Sequence, residues 1–170
     1  MNTLKKHWVV IVLLISSAAI LSALIAEYVF DILPCQMCLY QRYSYYCIIF
    51  LSIIYIILKK FPLIWYYWII TLFFVIGLFF STWHVGIEQK ILPGLPGCSS
   101  AMQASQSLSE LKDQILNQNI IACDEINWII LGLSAATINA FVLLILLIYD
   151  LYFSILYLYV NMQLLCWELE

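Results

Sequence analysis

Residues 34–58 read PCQMCLYQRYSYYCIIFLSIIYIIL, a proline and two closely spaced cysteines running straight into an apolar segment. From Leu39 to Leu58 the only charge is Arg42. Roughly 20 apolar residues are what an α-helix needs to cross about 30 Å of hydrocarbon. The segment therefore reads as a membrane span with its cysteines at the start. On its far side come Lys59, Lys60 and Pro62, then a further apolar run from Leu63 to about His84, and the two runs form a helical hairpin. Upstream, Trp8 to Ile25 is apolar and extends past Glu27, giving a first span over about 8–28. It exceeds a signal peptide's short apolar core and has no A-x-A cleavage site, so it is expected to stay in the chain. Downstream, Ile126 to Tyr149 gives a fourth span.

The whole composition agrees. The chain is 65% hydrophobic and 10% charged, with a mean hydropathy of +1.00, far above a soluble domain. Seven Lys and Arg against ten Asp and Glu leave no basic stripe to neutralise nucleic-acid phosphates, so nucleic acid is excluded as a partner. The expected fold is an all-α membrane protein: a four-helix transmembrane bundle, residues 1–150, with spans at about 8–28, 39–58, 63–84 and 126–149. Outer loops cover 29–38 and 85–125, the latter a long loop between the third and fourth helices. Residues 151–170 form an apolar tail, a helix extension or an interfacial segment, since Tyr149 and Asp150 alone are too short to turn the chain back for a fifth span.

Lys5 and Lys6 precede the first span and Lys59 and Lys60 separate the second from the third, which places both segments in the cytoplasm by the positive-inside rule. Parity then puts Pro34 to Gln41 and residues 85–125 together on the outer face, with four of the six cysteines. Within the outer loop, Ser107 and Glu110 form a capping box, and Leu108, Leu111 and Ile115 recur at helical spacing, predicting a short surface helix.

Pro34 before Cys35-Gln36-Met37-Cys38 marks a helix N-terminus, where unpaired amides and the positive end of the dipole stabilise a thiolate. A redox pair is the reading. Half of a zinc site is the competing one, disfavoured because no second pair stands at comparable spacing; no metal is expected. Cys98 and Cys123 enclose 24 residues, and on an oxidising face they are expected to pair. Such a bridge serves as a structural staple or, beside a C-x-x-C, as one station of a thiol-disulfide relay. Arg42 lies one helical turn beyond Cys38; it either snorkels to lipid phosphates or holds a thiolate or a developing quinol oxyanion. His84, at matching depth, is an interface histidine or a proton donor to a quinone oxygen, and Glu88 orients it or is simply solvated. Cys47 and Cys166 read as inert thiols.

These words resemble the bacterial disulfide bond formation protein B family (DsbB): Pro34-Cys35-x-x-Cys38-x-x-Gln41-Arg42, then Trp83-His84-x-Gly86-x-Glu88 with Pro93-Gly94 and Cys98, then Cys123-Asp124-Glu125, then Trp128-x-x-x-Gly132-x-Ser134-x-Ala136-x-x-Asn139. The similarity spans about residues 5–149; Tyr43, Ser44 and Tyr45 depart from the Pro-containing sequence many members carry after the arginine.

The resemblance implies a thiol:quinone oxidoreductase of the bacterial inner membrane, multi-pass, N-terminus cytoplasmic and catalytic loops periplasmic. It re-oxidises a DsbA-like, thioredoxin-fold dithiol oxidase of the periplasm. Cys98 would form the mixed disulfide with that partner, Cys123 would attack Cys35, and Cys38 would be the thiolate that meets the quinone, with Arg42 and His84 at the quinone site. The quinone is expected to be ubiquinone rather than menaquinone. A quinone reductase of the vitamin K epoxide reductase type is the main alternative, disfavoured because its C-x-x-C stands near the chain's end. A stapled, non-catalytic membrane subunit or small transporter is the other, disfavoured because no polar line runs through the spans.

Overall fold

The computed structural model describes residues 2–58, 62–94, 123–124, 126, 128–130 and 132–167. Cys98 and the helix expected around 107–115 lie outside the described residues, as do the side chains of Lys5, Lys6 and Cys166. Among the described residues four helices carry the fold: α1, Asn2–Tyr28; α2, Gln36–Leu58; α3, Leu63–Glu88; and α4, Ala135–Trp167. Each is long and apolar enough to cross a membrane. Large apolar side chains such as Leu14, Phe50, Trp65 and Ile155 face outward along their lengths, as expected where lipid takes the place of water around a bundle.

The helices pack in a chain of neighbours, α1 on α2, α2 on α3 and α3 on α4. Their shared core is aromatic and aliphatic, with Tyr67, Phe74, Ile48, Ile70 and Leu143 wholly enclosed. Gly77 brings three helices together: a Cβ there would stand 3.2 Å from both Leu143 of α4 and Ser44 of α2. Without a hydrophobic force between helices in lipid, such close approach is what gains packing energy.

The start of the fourth helix differs from the sequence reading. The fourth helix starts at Ala135, not near Ile126. Its apolar approach is spent in a two-residue ladder, β1 (Ile129–Ile130) against β2 (Leu133–Ser134). The ladder reverses at Gly132, whose φ of +83° suits glycine. Ser134 then caps α4, accepting the Thr137 N–H at 3.2 Å. At the other end α4 continues without a break through residues 151–167, so of the two readings of the tail the helix extension is the one seen. Asp150, expected to mark a boundary, is fully buried and bonded within the bundle. At 33 residues, α4 is roughly 50 Å long, well beyond what the hydrocarbon requires.

α3 ends in a left-handed turn at Lys90 (φ 58°). The Lys90 and Ile91 N–H groups return to the carbonyls of Ile87 and Gly86, both at 2.9 Å, closing the helix as a Schellman motif does. The turn folds Leu92 back over Gly86 of the same helix, and the Trp83 indole N–H donates to the Pro93 carbonyl at 3.3 Å.

Candidate functional site

Cys35 stands immediately before the first residue of α2, as its N-cap, and its sulfur accepts the Cys38 N–H at 3.3 Å. A thiol here occupies the place a serine or threonine oxygen usually takes. The cap folds Cys38 back over Cys35, and the two sulfurs lie 2.7 Å apart. Both are free, as is Cys47. Cys35 is buried. Its hydrogen bond to Cys38, then burial, push its thiol well above the ordinary range. The first thiol of the motif is thus held protonated, contrary to the thiolate that a helix N-terminus alone would favour.

α3 supplies the next layer. His84 Nε2 lies 3.5 Å from the Cys35 sulfur and 3.9 Å from Glu88 Oε1, and the ring is almost wholly buried. Glu88 is held in turn by Ser134, whose hydroxyl donates to Oε2 at 2.6 Å. Glu88 therefore orients the site from the α4 cap and is not merely solvated.

Four further polar side chains form a network that reaches the imidazole through Gln41. Gln41 Nε2 is 3.0 Å from His84 Nδ1. Asn139 Nδ2 donates to Gln41 Oε1 at 2.8 Å and to Ser81 Oγ at 2.7 Å, and the Tyr45 hydroxyl donates to Asn139 Oδ1 at 2.5 Å. In lipid an unpaired amide costs several kcal/mol, so this closed circuit is what allows Gln41 and Asn139 to sit inside the bundle.

Arg42 faces away from this circuit toward α1, where Nη1 donates to Glu27 Oε2 and Nη2 to the Ala23 carbonyl at 3.4 Å. The pair is mostly buried. Each residue is a lone charge in its own apolar run, at the same end of the bundle. Glu27 looked from sequence like an interruption of the first span; that matched depth was the one signal that pointed to Arg42.

Between α1 and α4 a cleft of about 270 Å³ opens over the cysteines. Ala19, Ala23 and Ala26 of α1 and Ala135 and Ala136 of α4 form its walls, while Cys35, Cys38, Arg42, His84 and Glu88 supply its polar end. An apolar enclosure with a few convergent polar groups is the usual form of a small-molecule site.

Cys123 belongs to the same region. It is buried in one cluster with Cys35, Met37 and Ile87, its main chain lies against the His84 ring, and it is disulfide-bonded. The structure thus brings together Cys35, Cys38, Cys123, His84 and Arg42; Cys98, the fourth expected cysteine, lies outside the described residues. Sequence reasoning assigned no role to Gln41, Asn139, Ser81 or Tyr45, which no local pattern links.

The Cys35 and Cys38 sulfurs and a His84 nitrogen also lie within 4.8 Å of one another, a donor set suited to a soft metal ion. Two thiolates on tetrahedral zinc stand roughly 3.8 Å apart, given Zn–S bonds of about 2.3 Å. The 2.7 Å separation here is closer to a sulfur–sulfur bond, which is about 2.05 Å. The geometry favours dithiol–disulfide chemistry.

Comparison with known proteins agrees with this geometry. The model of the DsbB family, described as disulfide bond formation protein DsbB, matches residues 5–153. An uncharacterized protein of Rickettsia prowazekii (strain Madrid E) is 31% identical over 144 residues, covering 82% of this chain and 81% of its own. No solved structure matches the chain. With a family match over residues 5–153, which includes α2, α3 and every cysteine at the site, the chain belongs to the DsbB family of disulfide bond formation proteins.

Proposed function

We propose that this protein is a thiol:quinone oxidoreductase that re-oxidises a DsbA-like, thioredoxin-fold dithiol partner in the periplasm. Electrons pass from the partner to Cys98 and Cys123, then to Cys35 and Cys38, then to a membrane quinone, with ubiquinone preferred over menaquinone. The observation that carries the reading is the meeting of three elements at one end of the bundle: a free dithiol, the disulfide-bonded Cys123 packed in its cluster, and an apolar cleft ending on Cys38, Arg42 and His84. Supporting the orientation, Lys59 and Lys60 follow the opposite end of α2, which the positive-inside rule assigns to the cytoplasm.

The residues present suit a quinone. Alanine walls leave a slot for a flat, apolar ring, and Arg42 and His84 offer donors where its oxygens would acquire charge. A quinone supplies a two-electron, two-proton acceptor that lipid carries to the cleft. The protein's part is sulfur exchange and proton placement. A partner thiolate attacks Cys98, breaking the Cys98–Cys123 bond and releasing Cys123 as a thiolate. Cys123 attacks Cys35 of the oxidised Cys35–Cys38 pair, and the bonding electrons leave on Cys38. The Cys38 sulfur then faces the cleft, with the Arg42 guanidinium one turn deeper to balance its charge. In the oxidised pair the Cys35 sulfur is the electrophile that Cys123 attacks; in the reduced pair its bond to Cys38 holds it protonated, so it is not the resting nucleophile.

Purified protein in detergent is expected to oxidise a reduced thioredoxin-fold dithiol and reduce added ubiquinone in a one-to-one ratio. Cys38→Ser is expected to abolish quinone reduction. Quinone reduction surviving in Cys38→Ser at the parent rate would refute the route.

A further inference from the structure

The hydrogen bonds around His84 have a direction. The Tyr45 hydroxyl has only its proton to give to Asn139 Oδ1 (2.5 Å). With Oδ1 accepting, the Asn139 amide presents N–H to Gln41 Oε1 (2.8 Å) and to Ser81 Oγ (2.7 Å). Gln41, accepting through its oxygen, presents N–H to His84 Nδ1 (3.0 Å). A nitrogen that accepts carries no proton, and a neutral imidazole has one N–H to place. It falls on Nε2, which faces the Cys35 sulfur at 3.5 Å and Glu88 Oε1 at 3.9 Å. The Cys123 main-chain carbonyl is a further acceptor against the ring. The sulfur and the carboxylate facing Nε2 accept, and the Gln41 amide facing Nδ1 donates.

We infer that Asn139, acting through Gln41, is a positioning residue that locks His84 in the Nε2–H tautomer so that this proton is held against the Cys35 sulfur. The consequence for exchange rests on the thiol oxidase reading above. Once the partner's second thiolate has attacked the partner sulfur of its bond to Cys98, closing the partner disulfide and releasing Cys98 as a thiolate, Cys98 attacks Cys123 in the Cys35–Cys123 mixed disulfide: a Cys98–Cys123 bond forms and the Cys35–Cys123 bond breaks, its electron pair leaving on Cys35. The Nε2–H then holds that thiolate in a site that is buried from solvent. With the opposite tautomer, a lone pair would face the departing charge.

The sequence contains two histidines, His7 and His84, so ¹⁵N-histidine labelling reads the tautomer directly. His7→Gln assigns the remaining signals. In the full-length protein in detergent, with the cysteines reduced, Nδ1 of His84 is expected at the unprotonated shift and Nε2 at the protonated one. Asn139→Asp keeps the size but accepts only, so it turns the Gln41 amide around and is expected to exchange the two signals. Turnover with dithiol and ubiquinone should fall roughly tenfold to hundredfold in kcat with KM for quinone unchanged, as expected for loss of a hydrogen bond to a charged leaving group.

A parent protein showing protonated Nδ1 overturns the inference, whatever happens in the variant. So does an Asn139→Asp protein that folds and keeps the parent tautomer. The predicted tautomer in a protein with no thiol oxidase activity would uphold the positioning role and remove the oxidase reading instead.

Discussion

Near Trp8, α1 is tied to α4: the indole N–H donates to Asp150 Oδ1 at 2.8 Å and the ring packs on Phe153 with centroids 4.9 Å apart. Near Ala26 the same helix stands off from α4, and Ala19, Ile20, Ser22, Ala23 and Ala26 face the gap. Both ends bury polar side chains. At the first, Asp150 is saturated by neutral donors, Trp8 and Thr71 (2.7 Å), and closed over by tyrosines. At the second, the polar groups open onto the cleft through Cys38, Arg42 and His84. One acid holds helices together, while the other cluster presents donors and sulfurs to a ligand. The contrast teaches that burial of a polar group in a bundle is no sign of function until its partners are counted.

The largest effect expected from breaking this contrast comes from closing the cleft. Ala23→Phe fills the gap beside Arg42 and should raise the KM for ubiquinone by an order of magnitude or more, leaving thermal stability near that of the parent. Steady-state kinetics alongside a melting curve separate the two, and unchanged KM would mean that the quinone site is elsewhere. At the opposite end the order of effects should invert. Asp150→Leu leaves the Trp8 N–H and the Thr71 hydroxyl unpaired, so it should lower stability by about 1–3 kcal/mol with no change in quinone KM, and Asp150→Asn should lose less.

A smaller effect refines the site end. Hydrogen bonding to Cys38 is the largest cause of the raised Cys35 pKa. Removing it by Cys38→Ala should move Cys35 down toward the ordinary thiol range. Its alkylation, which needs the thiolate, should then begin at lower pH and run faster at any pH below that range, although burial still resists it. Rates measured against pH in the reduced protein test this, and a profile displaced upward would reverse the assignment.

Much of this was legible in the chain. Lengths of apolar runs bounded by Lys59, Lys60 and Pro62 gave the helices, because crossing hydrocarbon sets a length that no other demand imitates. The position of Cys35 and Cys38 at a helix start followed from Pro34. What stayed hidden depended on three dimensions. Residues 126–134 are as apolar as the helix that follows, so only Gly132 and Ser134 hinted that α4 begins later. Asp150 looked like a boundary because a sequence does not say that an acid's donors come from residues 8 and 71. Gln41, Asn139 and His84 come from three helices, and their circuit has no periodicity to betray it. The family resemblance drew the right residues together without saying what holds the histidine.

The account stands on Cys123 reaching Cys35. A Cys98→Ala, Cys38→Ala protein leaves each of these thiols without its other partner. After mild oxidation in detergent, proteolysis and mass spectrometry should recover a peptide pair joined through Cys35 and Cys123 in most of the protein. Recovery of both as free thiols, while the protein remains folded, would contradict the exchange.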